Sequence, residues 1–209
     1  MFEDRFDAAE KLAHLLEKYA KNSQAIILAI PRGGIELGYV LAKRLYLPLD
    51  VIFTKKIGLP MNPEYAIGAV SSKHVFINNY FIDMPELQSY IETQIGAIRA
   101  TIKERENLYR KGMAPFDLTD RIVIVVDDGV ATGSTLLATI ALIKEYHPSK
   151  IVVALPVCAQ EAFNKIAPTV DEIVCVEIPN IFYSVGQFYR QFAQVEDKEA
   201  IRLLHEANS

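Results

Sequence analysis

"VIVVDDGVATGST", residues 123–135, sets four apolar residues before two adjacent acids and a run of small and hydroxylated residues. The apolar run begins at Arg121 as "RIVIVV" and reads as a strand buried on both faces, because no polar residues alternate within it. Asp127 and Asp128 fall at the carboxyl end of that strand, where open α/β sheets gather their ligands. Ala131, Thr132, Gly133, Ser134 and Thr135 are small enough for backbone N–H groups to approach an anion at the start of the next helix, where the helix dipole also favours negative charge. A Walker loop is excluded, because Ser134 rather than a lysine follows Gly133. Two carboxylates beside a phosphate cradle repel a bare anion, so they suit sugar hydroxyls or a magnesium ion. For the acidic pair alone, an Asp-Asp-Gly turn closed by a Thr or Ser helix cap is the simpler alternative.

Strand and helix patterns alternate on both sides of this stretch. Phe6, Ala9, Leu12, Ala13, Leu16 and Tyr19 recur at helical spacing, and "AIILAI" (25–30) is a continuous apolar strand ending at Pro31. A helix over 35–45 and a strand "LDVIFT" (49–54) follow, then a Gly-, Pro- and Asn-rich stretch over 55–66 that reads as a long loop. "AIGAV" and "VFIN" read as a hairpin around Ser71-Ser72-Lys73. Isoleucines 91, 95, 98 and 102 line one face of a long helix from Pro85 to about Tyr109. After residue 126 come a helix over 134–146, the strand "KIVVALPV", a helix over 160–167 and the strand "DEIVCVEIP". Continuous apolar strands separated by helices predict an α/β fold with a parallel sheet flanked by helices on both faces.

The 209 residues suit a single domain, and 51% hydrophobic with 23% charged residues is ordinary for a globular chain. A formal charge of -4 excludes the clustered basic footprint of a nucleic-acid binder. The N-terminal "MFEDRFDAAEK" does not read as a signal peptide, and no apolar run reaches the roughly 18 residues that a bilayer span needs. The expectation is therefore a cytoplasmic protein with neither a membrane nor a nucleic-acid partner. Cys158 and Cys175 lie in apolar runs without CxxC spacing and are expected as reduced thiols. His14, His74, His147 and His205 lack metal spacing and are expected at the surface, and no GxSxG elbow occurs.

Taken together, the apolar strand, the two acids and "ATGST" resemble the 5-phosphoribosyl 1-diphosphate signature of type I phosphoribosyltransferases. The resemblance extends over about residues 25–195. It implies that Asp127 and Asp128 meet the ribose hydroxyls and ligate Mg2+ directly or through water, while Ala131, Thr132, Gly133, Ser134 and Thr135 hold the 5'-phosphate. "IPRGG" resembles the family's diphosphate loop, with Pro31, Arg32, Gly33 and Gly34 as binding residues; its alternative is a plain strand-to-helix turn. "TKKIGLPMNPEYAIGAV" (54–70) stands where the family has a mobile loop over the reaction centre. Lys55 and Lys56 would there meet the diphosphate, with Glu64 and Tyr65 as loop contacts; a solvated lysine pair is the alternative. "EIPNIFYSVGQFYRQF" (177–192) resembles the tail whose aromatic residue stacks on the base, a role open to Phe182 or Tyr183. Phe182, Tyr183, Phe188 and Tyr189 equally suit packing within the hood core or an oligomer contact.

The chain departs from the family pattern at two places. Gly129 stands where an aliphatic residue is usual, and Ala131 stands where purine-salvage members carry an acid near the base. The resemblance thus implies one domain over 1–209, with a flexible loop and a small hood from about 177–209 and the N-terminal helix. The reaction it implies is transfer of ribose 5-phosphate from 5-phosphoribosyl 1-diphosphate to an acceptor base, with Mg2+ as cofactor. The aromatic residues near the C-terminus suit a homodimer contact. Two rivals stand beside it. One is a non-catalytic sensor of 5-phosphoribosyl 1-diphosphate or a nucleotide. The other is a phosphoacceptor receiver domain, which would leave "ATGST" unexplained.

Overall fold

The computed structural model describes residues 1–209 apart from the side chain of Glu64, so the contact expected of Glu64 lies outside the described residues. In chain order the elements are α1 (Arg5–Leu15), β1 (Ala25–Ala29), α2 (Gly33–Leu45), β2 (Leu49–Val51), β3 (Lys55–Leu59), β4 (Asn62–Val70) and β5 (Val75–Ile77). They continue with α3 (Asn79–Ile82), α4 (Pro85–Arg110), β6 (Ile122–Val126), α5 (Ser134–Lys144), β7 (Lys150–Val157), α6 (Gln160–Ile166), β8 (Glu172–Glu177) and α7 (Asp197–Ala207).

The apolar runs pair as a five-stranded parallel sheet in the order β2-β1-β6-β7-β8. Successive residues of each strand face opposite layers. Ile27, Ala29, Ile124, Val126, Val152 and Ala154 enter the layer that holds α1, α2, α4 and α7. Ile26, Leu28, Val123, Val125, Ile151 and Val153 enter the layer under α5 and α6. Both faces are therefore dry, which is why the strands read as unbroken apolar runs rather than alternating ones. The α/β class expected from the sequence is the one observed.

Residues 55–66 are not the expected loop: β3 and β4 are an antiparallel pair, and β5 completes a three-stranded sheet. Gly58 and Pro63 read as loop signals, but the ladder uses both at shifts of register between Ile57 and Leu59. A Cβ on Gly58 would lie 2.3 Å from the Pro63 carbonyl oxygen, so glycine is what lets the two strands close. Ile57 and Ile67 are buried and join the main core. The hairpin expected over 66–78 is present as β4 and β5. The strand expected over 49–54 stops at Val51, and Thr54 instead binds the Thr139 hydroxyl of α5 at 2.6 Å.

Two histidines also depart from expectation. The His205 ring nitrogen lies 2.9 Å from the Tyr109 carbonyl oxygen, and the His74 ring packs edge-on against Tyr146; both side chains are half-buried. Cys158 and Cys175 are free thiols, pushed up to about 11 and about 12 by burial.

Candidate functional site

In the sheet order β1 neighbours β2 on one side and β6 on the other, and the chain reaches these neighbours in opposite directions. The carboxyl ends of β1 and β6 meet in register at Ala29 and Val126. This switch point is where an open α/β sheet forms a ligand crevice. It carries "PRGG" on one side and "DDGVATGST" on the other.

The two loops interlock. A Cβ on Gly34 would lie 2.6 Å from the Val126 carbonyl oxygen, and one on Gly33 would lie 2.0 Å from Asp128 Oδ2. Only residues without a side chain allow α2 to begin this close to the acids. The Pro31–Arg32 peptide that precedes it is cis.

Asp128 is held from three directions. Arg5 Nε donates to Asp128 Oδ2 at 2.8 Å, the Tyr189 hydroxyl donates to the Asp128 carbonyl at 2.5 Å, and the Asp128 N–H donates to Asp127 Oδ1 at 2.9 Å. Arg5 Nη1 also donates to Glu36 Oε2 at 3.3 Å and to the Ala193 carbonyl at 2.8 Å. The guanidinium lies 4.0 Å above the Phe192 ring and its side chain is 8% exposed. Burial and then the neighbouring Asp128 charge push the Asp127 carboxyl well above the usual carboxylate range. Burial raises Asp128 too, with Arg5 opposing. The pair thus holds more negative charge than one guanidinium balances, and it favours a ligand that brings hydroxyl donors or a cation.

The segment after the acids is fixed at its start and open at its end. Val130 exchanges backbone hydrogen bonds with Val157 and Ala159. Gly133 takes a left-handed conformation at φ 79° and caps α5, and no side chain caps that helix. No side chain among the described residues meets the first N–H groups of α5, and a helix start of this kind suits an anion. Ala131, Thr132 and Thr135 are exposed beside them, whereas Gly133 is buried and Ser134 half-buried. Gly129, the departure noted in the sequence, has φ 157°, and a Cβ there would lie 2.6 Å from Val185 and 2.8 Å from Val157. Glycine suits this position because the C-terminal segment packs directly on the strand end.

The remaining expected residues lie around this crevice to differing degrees. Arg32 Nη1 lies 3.6 Å from Asp197 Oδ1, and the same carboxylate oxygen accepts from the Tyr109 hydroxyl at 2.5 Å. Lys55 and Lys56 begin β3, Lys55 exposed and Lys56 half-buried. Pro31, Lys55 and Thr135 line one cleft of about 330 Å3, with Thr101 and Arg105 of α4 as its far wall. Phe182 is half-buried, its ring 5.1 Å from that of Phe188, while Tyr183 is 86% exposed. Tyr65 is exposed and packs edge-on against Phe81.

Arg5, Glu36, Asp197 and Arg105, and the bond from Tyr189 to the Asp128 carbonyl, do not emerge from sequence reasoning. Arg5 leaves a signal: with Ala8, Ala9 and Leu12 it occupies the buried stripe of α1, an unusual place for an arginine. The other four are brought in by packing between distant segments and leave none.

Among the described residues no group of three or more His, Cys, Asp or Glu side chains converges on a common point. The donor chemistry at Asp127 and Asp128 fits a magnesium ion held mainly by substrate phosphates, since that ion commonly takes one or two protein carboxylates and keeps water or phosphate oxygens elsewhere. Asp127 Oδ2 has no donor among the described residues and is available for such a contact. Among the described residues no helix is long and apolar enough to cross a membrane.

The chain is similar to known proteins in sequence and in fold. The chain is 33% identical over its whole length to "Putative phosphoribosyl transferase Rv0571c" of Mycobacterium tuberculosis, and it spans 47% of that relative, about half its length. A segment of 72 residues, 34% of each chain, is 42% identical to the uracil phosphoribosyltransferase of Mycoplasma genitalium. The crystal structure of TT1426 from Thermus thermophilus superposes with a TM-score of 0.91 at 33% identity, covering 99% of this chain and 98% of that one. Residues 3–193 match the family described as phosphoribosyl transferase domain, and that match contains both interlocked loops and the Arg5 anchor. The chain belongs to the phosphoribosyl transferase family.

Proposed function

We propose that the protein transfers ribose 5-phosphate from 5-phosphoribosyl 1-diphosphate to a nitrogen nucleophile and releases diphosphate. The observation that carries this reading is the pairing, at one switch point, of two adjacent half-buried carboxylates served by a single guanidinium with the start of α5 that no side chain caps. Carboxylates accept from sugar hydroxyls, and free helix N–H groups donate to a phosphate, so one crevice supplies both halves of a ribose phosphate site.

In this reading Asp127 and Asp128 hold the ribose hydroxyls, and residues 131–135 hold the 5'-phosphate. Pro31, Arg32, Gly33 and Gly34 face the diphosphate, with Lys55 and Lys56 reaching it from β3. The C1–O bond to diphosphate breaks with its electron pair on the leaving oxygen, the acceptor nitrogen bonds to C1, and the nitrogen's proton passes to water. Positioning and fixed charge do most of this work. A magnesium ion bound with the donor supplies further neutralisation of the leaving charge, with Asp127 and Asp128 as its protein contacts. The C-terminal segment and α1 form the hood over the acceptor, where the exposed Tyr183 offers its ring to a base and Phe182 supports the segment from below.

The test is calorimetric titration with 5-phosphoribosyl 1-diphosphate and magnesium, followed by a screen of acceptor bases for diphosphate release. Binding weakened in both Asp127→Asn/Asp128→Asn and Thr132→Val is the expected result. Wild-type protein that fails to bind at millimolar ligand removes the reading. Ala131 favours a second reading, a sensor without turnover, since no acid stands there to take a proton from an acceptor. Lys55→Ala/Lys56→Ala separates the two readings: an enzyme loses turnover, whereas binding through the 5'-phosphate loop persists.

A further inference from the structure

The cleft that runs from the phosphate segment past the "PRGG" loop is closed on its far side by α4, a helix that carries none of the motifs on which the resemblance rests. Of its lining residues, Pro31, Thr54 and Lys55 come from strand ends and loops and Thr135 from the first turn of α5, whereas Thr101 and Arg105 come from α4. Two cationic residues, Lys55 and Arg105, thus line a space of about 330 Å3 with no carboxylate in its wall; the Thr54 and Thr101 hydroxyls beside them are bonded to Thr139 and to the Ala97 carbonyl. That lining selects a polyanion. The small cavity beside it has the opposite character, being lined by Asp50 and Glu106 as well as Arg110.

The helix holds Arg105 in this wall. Ile102 and Tyr109, one turn to either side, are 4% and 0% exposed, so α4 is anchored on both sides of the arginine. Arg105 itself is exposed and makes no ion pair among the described residues. Arg32, the arginine that the resemblance would assign to the same anion, already faces Asp197 at 3.6 Å. The guanidinium available to the cleft is thus the one on α4.

Resting on the functional reading above, we propose that Arg105 is a diphosphate-binding residue, receiving the leaving group opposite Lys55. A guanidinium forks onto two phosphate oxygens, and it keeps its charge throughout the reaction. It therefore favours the state in which the diphosphate gains the electron pair of the broken bond over the state in which it is still esterified.

The experiment uses the full chain and two separate probes in magnesium buffer, inorganic diphosphate and ribose 5-phosphate, with affinities read by calorimetry. Arg105→Gln is expected to weaken diphosphate about 10- to 100-fold, the range for a lost charge-assisted hydrogen bond. Ribose 5-phosphate, which needs only the acids and the α5 segment, is expected to stay within about twofold of wild type. Arg105→Lys keeps the charge but loses the fork, and it is expected to fall between the two. Thr132→Val is expected to show the reverse pattern, weakening ribose 5-phosphate and sparing diphosphate. Because Arg105 is exposed, a thermal melt matching wild type is expected of both variants. Wild-type protein that binds both probes, with Arg105→Gln indistinguishable from it, overturns this proposal and leaves the functional reading standing. Wild-type protein that binds neither probe overturns both. Equal weakening of the two probes by Arg105→Gln also overturns it, since that would mark a residue acting on the whole crevice.

Discussion

Arg5→Met tests whether the site depends on a buried charge that lies outside its recognisable motifs. The arginine side chain is 8% exposed, pairs with Asp128 at 2.8 Å and with Glu36 at 3.3 Å, and donates to Ala193. Methionine keeps much of the apolar stem and removes the charge, stranding two carboxylates that are 16% and 17% exposed. Removing one partner of a buried pair costs about 3–5 kcal/mol, because the other is left charged and dry. The two pairs share one guanidinium, so their costs do not add, and we expect about 3–5 kcal/mol in total. For a chain of this size that lowers Tm by about 6–20 °C. The pH dependence gives the sharper test. Burial raises Glu36 above its ordinary value near 4.5, and the Arg5 charge opposes that rise. A raised acid contributes stability that is present below its unfolded pKa and is lost as pH climbs through its folded pKa. Without Arg5 the folded value climbs further, so the deficit of the variant must be small near pH 4.5 and must grow toward pH 8. Asp128 moves in the same direction for the same cause. Urea unfolding followed by circular dichroism at pH 4.5 and pH 8 measures both numbers, and Arg5→Met/Glu36→Gln should recover about 1–2 kcal/mol at pH 8. A deficit below about 1 kcal/mol, or an equal one at both pH values, would refute the view that Arg5 acts by compensating buried carboxylates.

Gly33→Ala places a Cβ 2.0 Å from Asp128 Oδ2, so the carboxylate must leave Arg5. We expect a loss of about 1–3 kcal/mol and at least tenfold weaker binding of ribose 5-phosphate; unchanged calorimetry would show that the loops are not interlocked. The stability effect should also be less than additive with Arg5→Met, because both changes displace the same carboxylate. Asp50→Ala removes the 4% exposed acid that receives Arg110 at 3.2 Å and the Phe116 N–H at 3.1 Å. Its expected cost of about 3–5 kcal/mol should appear in thermal melts, with ligand affinity at the switch point unchanged. A large affinity change would mean that this knot reaches the site.

What could be read from the chain divides along a physical line. Strands buried on both faces announce themselves as unbroken apolar runs, and the acids at 127 and 128 stand out only together with the "ATGST" that follows them, since the pair alone reads equally as a turn. Those signals are local, so the parallel sheet and the two loops at its switch point were legible. Residues 55–66 misled because Gly58 and Pro63 mark a turn in isolation but serve a shifted register in the β3–β4 ladder, which depends on a partner strand. The same reasoning explains Arg5. Its place on the buried stripe of α1 could be read as an anomaly, but its partners are Asp128 and Glu36, 123 and 31 residues away. Gly33 and Gly129 show the limit most clearly. Each looks like an ordinary turn residue, yet each is required by an atom supplied from elsewhere: an Asp128 oxygen for Gly33, and Val185 and Val157 for Gly129. The motifs therefore specify which groups can meet a ribose phosphate, whereas the geometry that makes them a site comes from segments with no motif at all. Substitutions at Arg5, Val185 and Tyr189 should for that reason disturb ligand binding even though the phosphoribosyl signature itself is untouched.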